Sequence, residues 1–200
     1  MSELLQWRNG FLIFACAVLL HGVPLGAQAS RSVQGKDKAG IDFASARREI
    51  QAFETVLNGV ITATFNNSPF ALVQKTKGAY LPGYGMSFYS LINIHRAMVN
   101  TPFGEIRRFE DITPELKQRR IGELTEKLMR ALKENGESFR QLGSEETVTI
   151  VAFFEDRNFP EEANQNKTVV MSASKRDLQE LGGRDERIKE FKQRLKIIEY

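Results

Sequence analysis

Cysteine is almost missing from this chain: one residue in 200, Cys16. Histidine occurs twice, as His21 and His95, and tryptophan once, as Trp7. A lone thiol closes no disulfide within the chain, and one thiol with two imidazoles falls short of a tetrahedral structural zinc site. Other signatures are absent as well. There is no G-x-S-x-G turn for a serine nucleophile and no phosphate-binding glycine loop. Gly83-Tyr84-Gly85 has the G-x-G spacing without the third glycine of a dinucleotide site. The acids around Glu110-Asp111 and Glu155-Asp156 lack the alternating Asp/Asn pattern and central glycine of a calcium loop. No metal and no cofactor is therefore expected. Long apolar runs are lacking too: Phe11 to Leu20 is ten residues, where a bilayer span takes about 20.

That ten-residue run has the makeup of an export signal. A short, weakly positive head precedes it, and a segment with Pro24 follows it. The segment ends in Ala27-Gln28-Ala29, a small-x-small cleavage site. The expectation is a signal peptide over residues 1–29 cleaved after Ala29, a flexible polar leader over 30–40, and a single domain over 41–200. Cys16 sits inside the apolar run with bulky Phe14 two residues before it, so lipidation is not expected. Cleavage removes 29 of the 200 residues, leaving 171 that contain no cysteine and one histidine, His95. A small secreted animal domain is usually stapled by disulfides. A cysteine-free chain of this size buries about 70% of its unfolded surface without them. Both points favour a bacterial protein in the periplasm or outside the cell, with no stable membrane insertion after cleavage.

The formal net charge is +3. The basic residues are interleaved with acids, as in "ARREIQAFE", "ELKQRRIGE" and "DERIKEFKQR", which is the pattern of solvated helix faces. A nucleic-acid partner would ask for a concentrated basic stripe, so none is expected.

Along the chain, Asp42 suits a helix cap. Phe43, Ala46, Ile50, Phe53, Leu57, Val60 and Ile61 then keep helical spacing. Their apolar stripe fits either the chain's own sheet or a second copy, which makes a homo-oligomer through this first helix one expected partner arrangement. Thr113-Pro114-Glu115 starts a second helix with a capping hydroxyl, proline at the first position and an acid in the first turn. Strands are expected at 70–76, 86–94, 146–156 and 167–174. Residues 100–112 read as an irregular crossing, and 195–200 as either helix or edge strand. The class that follows is α+β: a mostly antiparallel sheet of four to five strands in a hairpin–helix–hairpin order, with a long N-terminal amphipathic helix packed on it.

Groups that carry chemistry are few. His95 stands at the end of a strand, and Glu155 and Asp156 stand where another leaves the sheet, a position often used by active-site acids. These three are the weak catalytic candidates. Ser172-Ala173-Ser174-Lys175 matches S-x-x-K, but the motif's companions are absent, and Ser174 with Asp177 reads better as a helix cap.

The stretch "KGAYLPGYGMSF", Lys77 to Phe88, stands apart. Pro82-Gly83 suits the centre of a type II turn, in a long connection between two strands. Tyr80, Pro82 and Tyr84 are candidate binding residues. Their rings either tuck over the sheet edge with wet hydroxyls or stand ready for a partner. An "AYLPGYG" block followed by an apolar strand and preceded by an export signal resembles exported bacterial proteins of unknown function. The resemblance covers about a dozen residues closely and implies no activity. The expected function is a non-catalytic binding module of the cell envelope, whose partner is an envelope protein or polymer. The alternative is a small envelope hydrolase or transferase using His95 and Glu155 or Asp156.

Overall fold

A computed structural model describes residues 40–65, 71–109, 113–155, 168–183 and 187–200, without the side chains of residues 96–101 and 105–109. All of these residues belong to one unit, Gln34–Tyr200. The expected signal peptide and residues 30–39 of the leader lie outside the described residues.

Helix α1 (Phe43–Thr64) begins at Asp42, whose carboxylate accepts from the amides of Ala44 and Ser45 at 2.9 and 3.3 Å. That satisfies two donors that a helix start otherwise leaves open. Strands β1 (Leu72–Leu81) and β2 (Gly85–Ile92) follow as an antiparallel hairpin. Next come β3 (Arg96–Thr101) and β4 (Gly104–Phe109), then α2 (Pro114–Asn135), capped by the Thr113 hydroxyl. After a short 3-10 turn come β5 (Thr147–Phe154), β6 (Thr168–Ser174), α3 (Lys175–Leu181), α4 (Ile188–Arg194) and β7 (Lys196–Glu199). The chain is thus α+β, with a five-stranded sheet in the order β1-β2-β5-β6-β7.

Three of the four strand pairs in that sheet are antiparallel; the pair of β2 with the central strand β5 is parallel and runs unbroken from Gly85↔Thr147 to Ile92↔Phe154. The reason lies in α2. A helix of 22 residues spans about 33 Å, enough to carry the chain back from the end of β2 to its start. Strands joined by such a crossover lie parallel.

Alternation then sorts the residues. Met86, Phe88 and Ile92 of β2, Val148 and Ile150 of β5, and Val169 and Met171 of β6 are buried on one face. They pack with Phe53, Leu57 and Ile61 of α1, Leu124 and Leu128 of α2, Leu178 of α3 and Phe191 of α4. The apolar stripe of α1 therefore lies in its own core. Phe53 centres an aromatic trio, 4.9 Å from Phe88 and 5.0 Å from Phe139.

Helix α1 also closes the outer edge of β1. Glu54 accepts the Gly78 amide and Asn58 accepts the Thr76 amide, each at 2.8 Å. The spacings match: four helical residues rise about 6 Å, and two strand residues about 6.6 Å.

One expectation needs correction here, and one open alternative is resolved. Residues 100–112 are not an irregular crossing through residue 109, because β3 and β4 form a separate two-stranded ribbon. Thr101-Pro102-Phe103-Gly104 is its turn, with Gly104 at φ 114°, a conformation that favours glycine. Of the two readings left open for 195–200, the structure takes the edge strand, with residues 196–199 paired to β6.

Candidate functional site

The stretch around Tyr80 and Tyr84 is not a long connection. Strand β1 runs on through Lys77–Leu81, and only Pro82, Gly83 and Tyr84 remain between the strands. The Tyr84 amide donates to the Leu81 carbonyl at 3.0 Å, and Gly83 has φ 78°. Both features belong to the expected type II turn.

A turn this short separates the two tyrosines. Tyr80 faces α1: its ring meets Phe43 edge-on at 6.3 Å and lines a groove of about 390 Å³ between α1 and β1. Its hydroxyl donates to the Glu146 carboxylate at 2.8 Å. Tyr84 lies across the opposite face of the sheet, where its hydroxyl and that of Thr149 share a 2.8 Å hydrogen bond. Neither hydroxyl is left to water alone, contrary to the tucked-ring expectation. Both rings clamp the hairpin onto the start of β5. Pro82 is exposed and makes the turn.

The face that carries Tyr84 is the one the described helices leave open. Strand registers arrange it in rows. One row crosses all five strands as Lys77, Tyr89, Val151, Val170 and Ile198. The next is Ala79, Ser87, Thr149, Ser172 and Lys196. Tyr84, Tyr89, Phe153 and Ile198 are each 41 to 45% exposed on this face. Thr149 is buried beneath Tyr84 and also shares a 2.8 Å hydrogen bond with Ser172. The result is a hydroxyl chain, Tyr84–Thr149–Ser172, beside an apolar row, with Lys77 and Lys196 as the charged residues of the two rows. No sequence motif announced this chain. The available signal was hydroxyl alternation in "TVT" (Thr147–Thr149) and "SAS" (Ser172–Ser174), out of phase with the buried valines, alanines and isoleucines.

The hydrogen bond from Thr149 is the main reason that the Tyr84 phenol has its pKa lowered from 10.0, with Thr147, Ser172 and the positive charge of Lys196 adding to it. An acid whose folded pKa is depressed stabilises the fold above its unfolded pKa. That contribution is lost as pH falls through the folded value. Comparing phenolate absorbance of the native chain with Tyr84→Phe is expected to show a component that titrates below pH 10.0. The native chain should also gain stability over the variant as pH rises through that window. A Tyr84 component at or above the ordinary phenol value would mean that the hydroxyl chain is not formed.

The catalytic candidates gather at the far end of β2 and β5. Asn93 donates to the Glu155 carboxylate, and the Asn93 side-chain oxygen accepts the His95 amide at 2.9 Å. The Glu155 amide donates to the Ile92 carbonyl at 2.7 Å, closing the strand ends together. One asparagine thus joins Glu155 to His95, but His95 is only 1% exposed, so a substrate cannot reach its ring without movement. Asp156 lies outside the described residues.

The S-x-x-K spacing does not form a pair. Ser172 belongs to the open-face row. Lys175 is buried and donates to the Gly136 carbonyl at 3.0 Å, with its pKa lowered by burial. The Ser174 hydroxyl accepts the Asp177 amide at 3.1 Å and caps α3. Among the described residues, no three His, Cys, Asp or Glu side chains come together to hold a metal. Comparisons with protein-family models, curated proteins and solved structures give no match.

Proposed function

We propose that this chain is an exported bacterial binding module of the cell envelope, cleaved after Ala29, that takes a protein partner on the open face of its sheet. In this reading the mature domain is a hairpin–helix–hairpin unit with its first long helix packed on the opposite face. The observation that carries the proposal is the row Tyr89, Val151, Val170 and Ile198, continued by Phe153, standing half-exposed on the face that the described helices leave open. Exposed apolar side chains that are scattered singly need no explanation, whereas a contiguous set marks an interaction surface. Tyrosine supplies rigid contact area at low entropic cost. Lys77 and Lys196 flank the rows, so the fitting partner is a protein with an apolar strip and acidic margins.

The test is site-specific photo-crosslinking in the source bacterium's envelope. A crosslinker at Phe153 should capture a defined acidic protein, and one at Glu123, on the solvent side of α2, should not. Adding Tyr89→Ser should reduce the Phe153 adduct severalfold. Equal labelling from both positions, or none from Phe153, would sink the reading.

The second reading, a small hydrolase or transferase, draws on the link that Asn93 makes between Glu155 and the His95 backbone. It requires an opening that exposes His95. Activity lost in His95→Asn but retained in Tyr89→Ser would favour it.

A further inference from the structure

We infer that the chain pairs with a second copy of itself through the outer side of its two long helices, α1 lying against α1 and α2 of the other copy. The apolar stripe of α1 faces its own core, so this contact uses a different side of the same helix. An exposed helix side is ordinarily polar and charged. The first half of α1 follows that rule with Arg47, Arg48, Glu49 and Glu54. From Thr55 to the helix end there is no charged residue. The outward positions there are Thr55, Val56, Gly59, Val60, Thr62 and Ala63, all exposed or half-buried. The Thr55 hydroxyl turns back to the Gln51 carbonyl at 3.0 Å, which removes polarity from that side as well.

The uncharged strip borders a hollow. Val56, Val60 and Ala63 of α1 and Ala131 of α2 line a crevice of about 320 Å³, with Lys127, Arg130 and Glu134 at its margin. Gly59, next to Val60, has open space before it: a Cβ there would meet nothing within 4 Å. Glycine inside a helix is destabilising relative to alanine, and this one allows no close contact within its own chain. A bare position of that kind lets a neighbouring helix come near.

The charges at the margin say which partner fits. Glu54 and Asn58 reach Gly78 and Thr76 in turn, so α1 runs against β1 and along β2. The crossover helix α2 returns against β2, so the two helices are antiparallel. Ala63 therefore lies toward the Lys127 end of the crevice and Val56 toward the Glu134 end. The margin is positive at one end, at Lys127 and Arg130, and negative at the other, at Glu134. An isologous contact presents the same patch from both sides. With the two-fold axis lying across the helices the ends exchange, and Lys127 and Arg130 of each copy meet Glu134 of the other. The stretches match, Val56 to Ala63 and Lys127 to Glu134 being about 10 Å each. A partner with a margin of one sign would leave one end facing like charge, whereas a second copy satisfies both. Lys127 has an exposed pair with Glu123 at 2.6 Å, and such pairs are weak enough to exchange. The face is two helices wide and a few turns long, which places the dimer among the concentration-dependent ones. It is independent of the partner on the sheet face and leaves both open sheet faces pointing outward.

The test is sedimentation equilibrium of the full chain, with variants that separate this face from any other contact. The dimer fraction should grow with concentration. Ala63→Glu puts a charge on the strip at an exposed position and should weaken association about tenfold or more, with an unchanged circular dichroism spectrum. Glu134→Lys should weaken it severalfold. Adding Lys127→Glu to Glu134→Lys should restore it, because the swapped margin complements itself again. Cys16 is the chain's only cysteine, so Cys16→Ser/Gly59→Cys should oxidise to a linked dimer, and Cys16→Ser/Lys189→Cys, on α4, should not. The inference is overturned by a chain that stays monomeric at the highest concentration reached. It is equally overturned if the native chain, Ala63→Glu and Glu134→Lys associate alike, or if oxidation at 59 is no faster than at 189.

Discussion

Gly85→Ala is expected to lower the melting temperature by about 10 °C or more, which at this chain length corresponds to about 4 kcal/mol or more. A Cβ on Gly85 would stand 2.0 Å from the Thr147 carbonyl oxygen and 2.6 Å from its amide nitrogen. Both are backbone atoms of the parallel partner, so no side-chain rotation relieves the clash. The backbone conformation adds to the cost, because φ at Gly85 is 128°, where side chains are disfavoured. The residue also holds the corner from which the Tyr84 carbonyl accepts the Thr147 amide at 2.8 Å. Gly83→Ala is the matched control. It too has positive φ, 78°, but a Cβ there meets nothing within 4 Å, so its cost is roughly 1–2 kcal/mol. Thermal unfolding followed by circular dichroism separates the two. If the variants melt together, the β2–β5 junction is elastic and the close approach is unimportant.

Phe53→Ala should cost about 3–5 kcal/mol in urea unfolding. Its ring is buried and sits edge-on to Phe88 at 78° and to Phe139 at 84°. Phe53 belongs to α1, Phe88 to β2, and Phe139 to the segment that leads into β5. Deletion therefore opens a cavity where three parts of the chain meet, and rigid neighbours on two sides limit collapse into it. Phe103→Ala removes the same side chain from a site that is 98% exposed and should leave the midpoint within about 0.5 kcal/mol. A loss below about 1 kcal/mol for Phe53→Ala would mean that the trio repacks, against the usual cost of emptying a close-packed site.

Local chemistry was legible in the sequence wherever a residue acts on its immediate neighbours. Pro82-Gly83 makes the turn it suggests, Thr113 and Ser174 cap their helices, and the apolar run at 146–156 contains β5. The α+β class and the mostly antiparallel sheet follow from short links between successive strands. What stayed hidden depends on where the chain goes next. The parallel β2–β5 pairing is set by the length of α2 rather than by either strand. Tyr80 and Tyr84 share a motif in sequence, yet Tyr80 lies in β1 and Tyr84 is the last residue of the three-residue turn, and their hydroxyls find partners on opposite faces. The link between Glu155 and His95 runs through Asn93, an unremarked residue 62 positions from Glu155. The ribbon is hidden in the sequence because Pro102 interrupts any strand pattern across 96–109, although here it occupies the turn between β3 and β4.

The clasp of Glu54 and Asn58 on β1 has a consequence for the molecule in a crowd. An outer strand whose amides are free is a template for a neighbour's strand, and the route by which sheet proteins polymerise. Here Gly78 and Thr76 already donate to a helix of the same chain. Growth from that edge would first require α1 to let go, and the same helix is anchored in the core by Phe53. Colloidal solubility and core packing are thereby coupled: a substitution that loosens α1 from within also uncovers a surface prone to templated assembly.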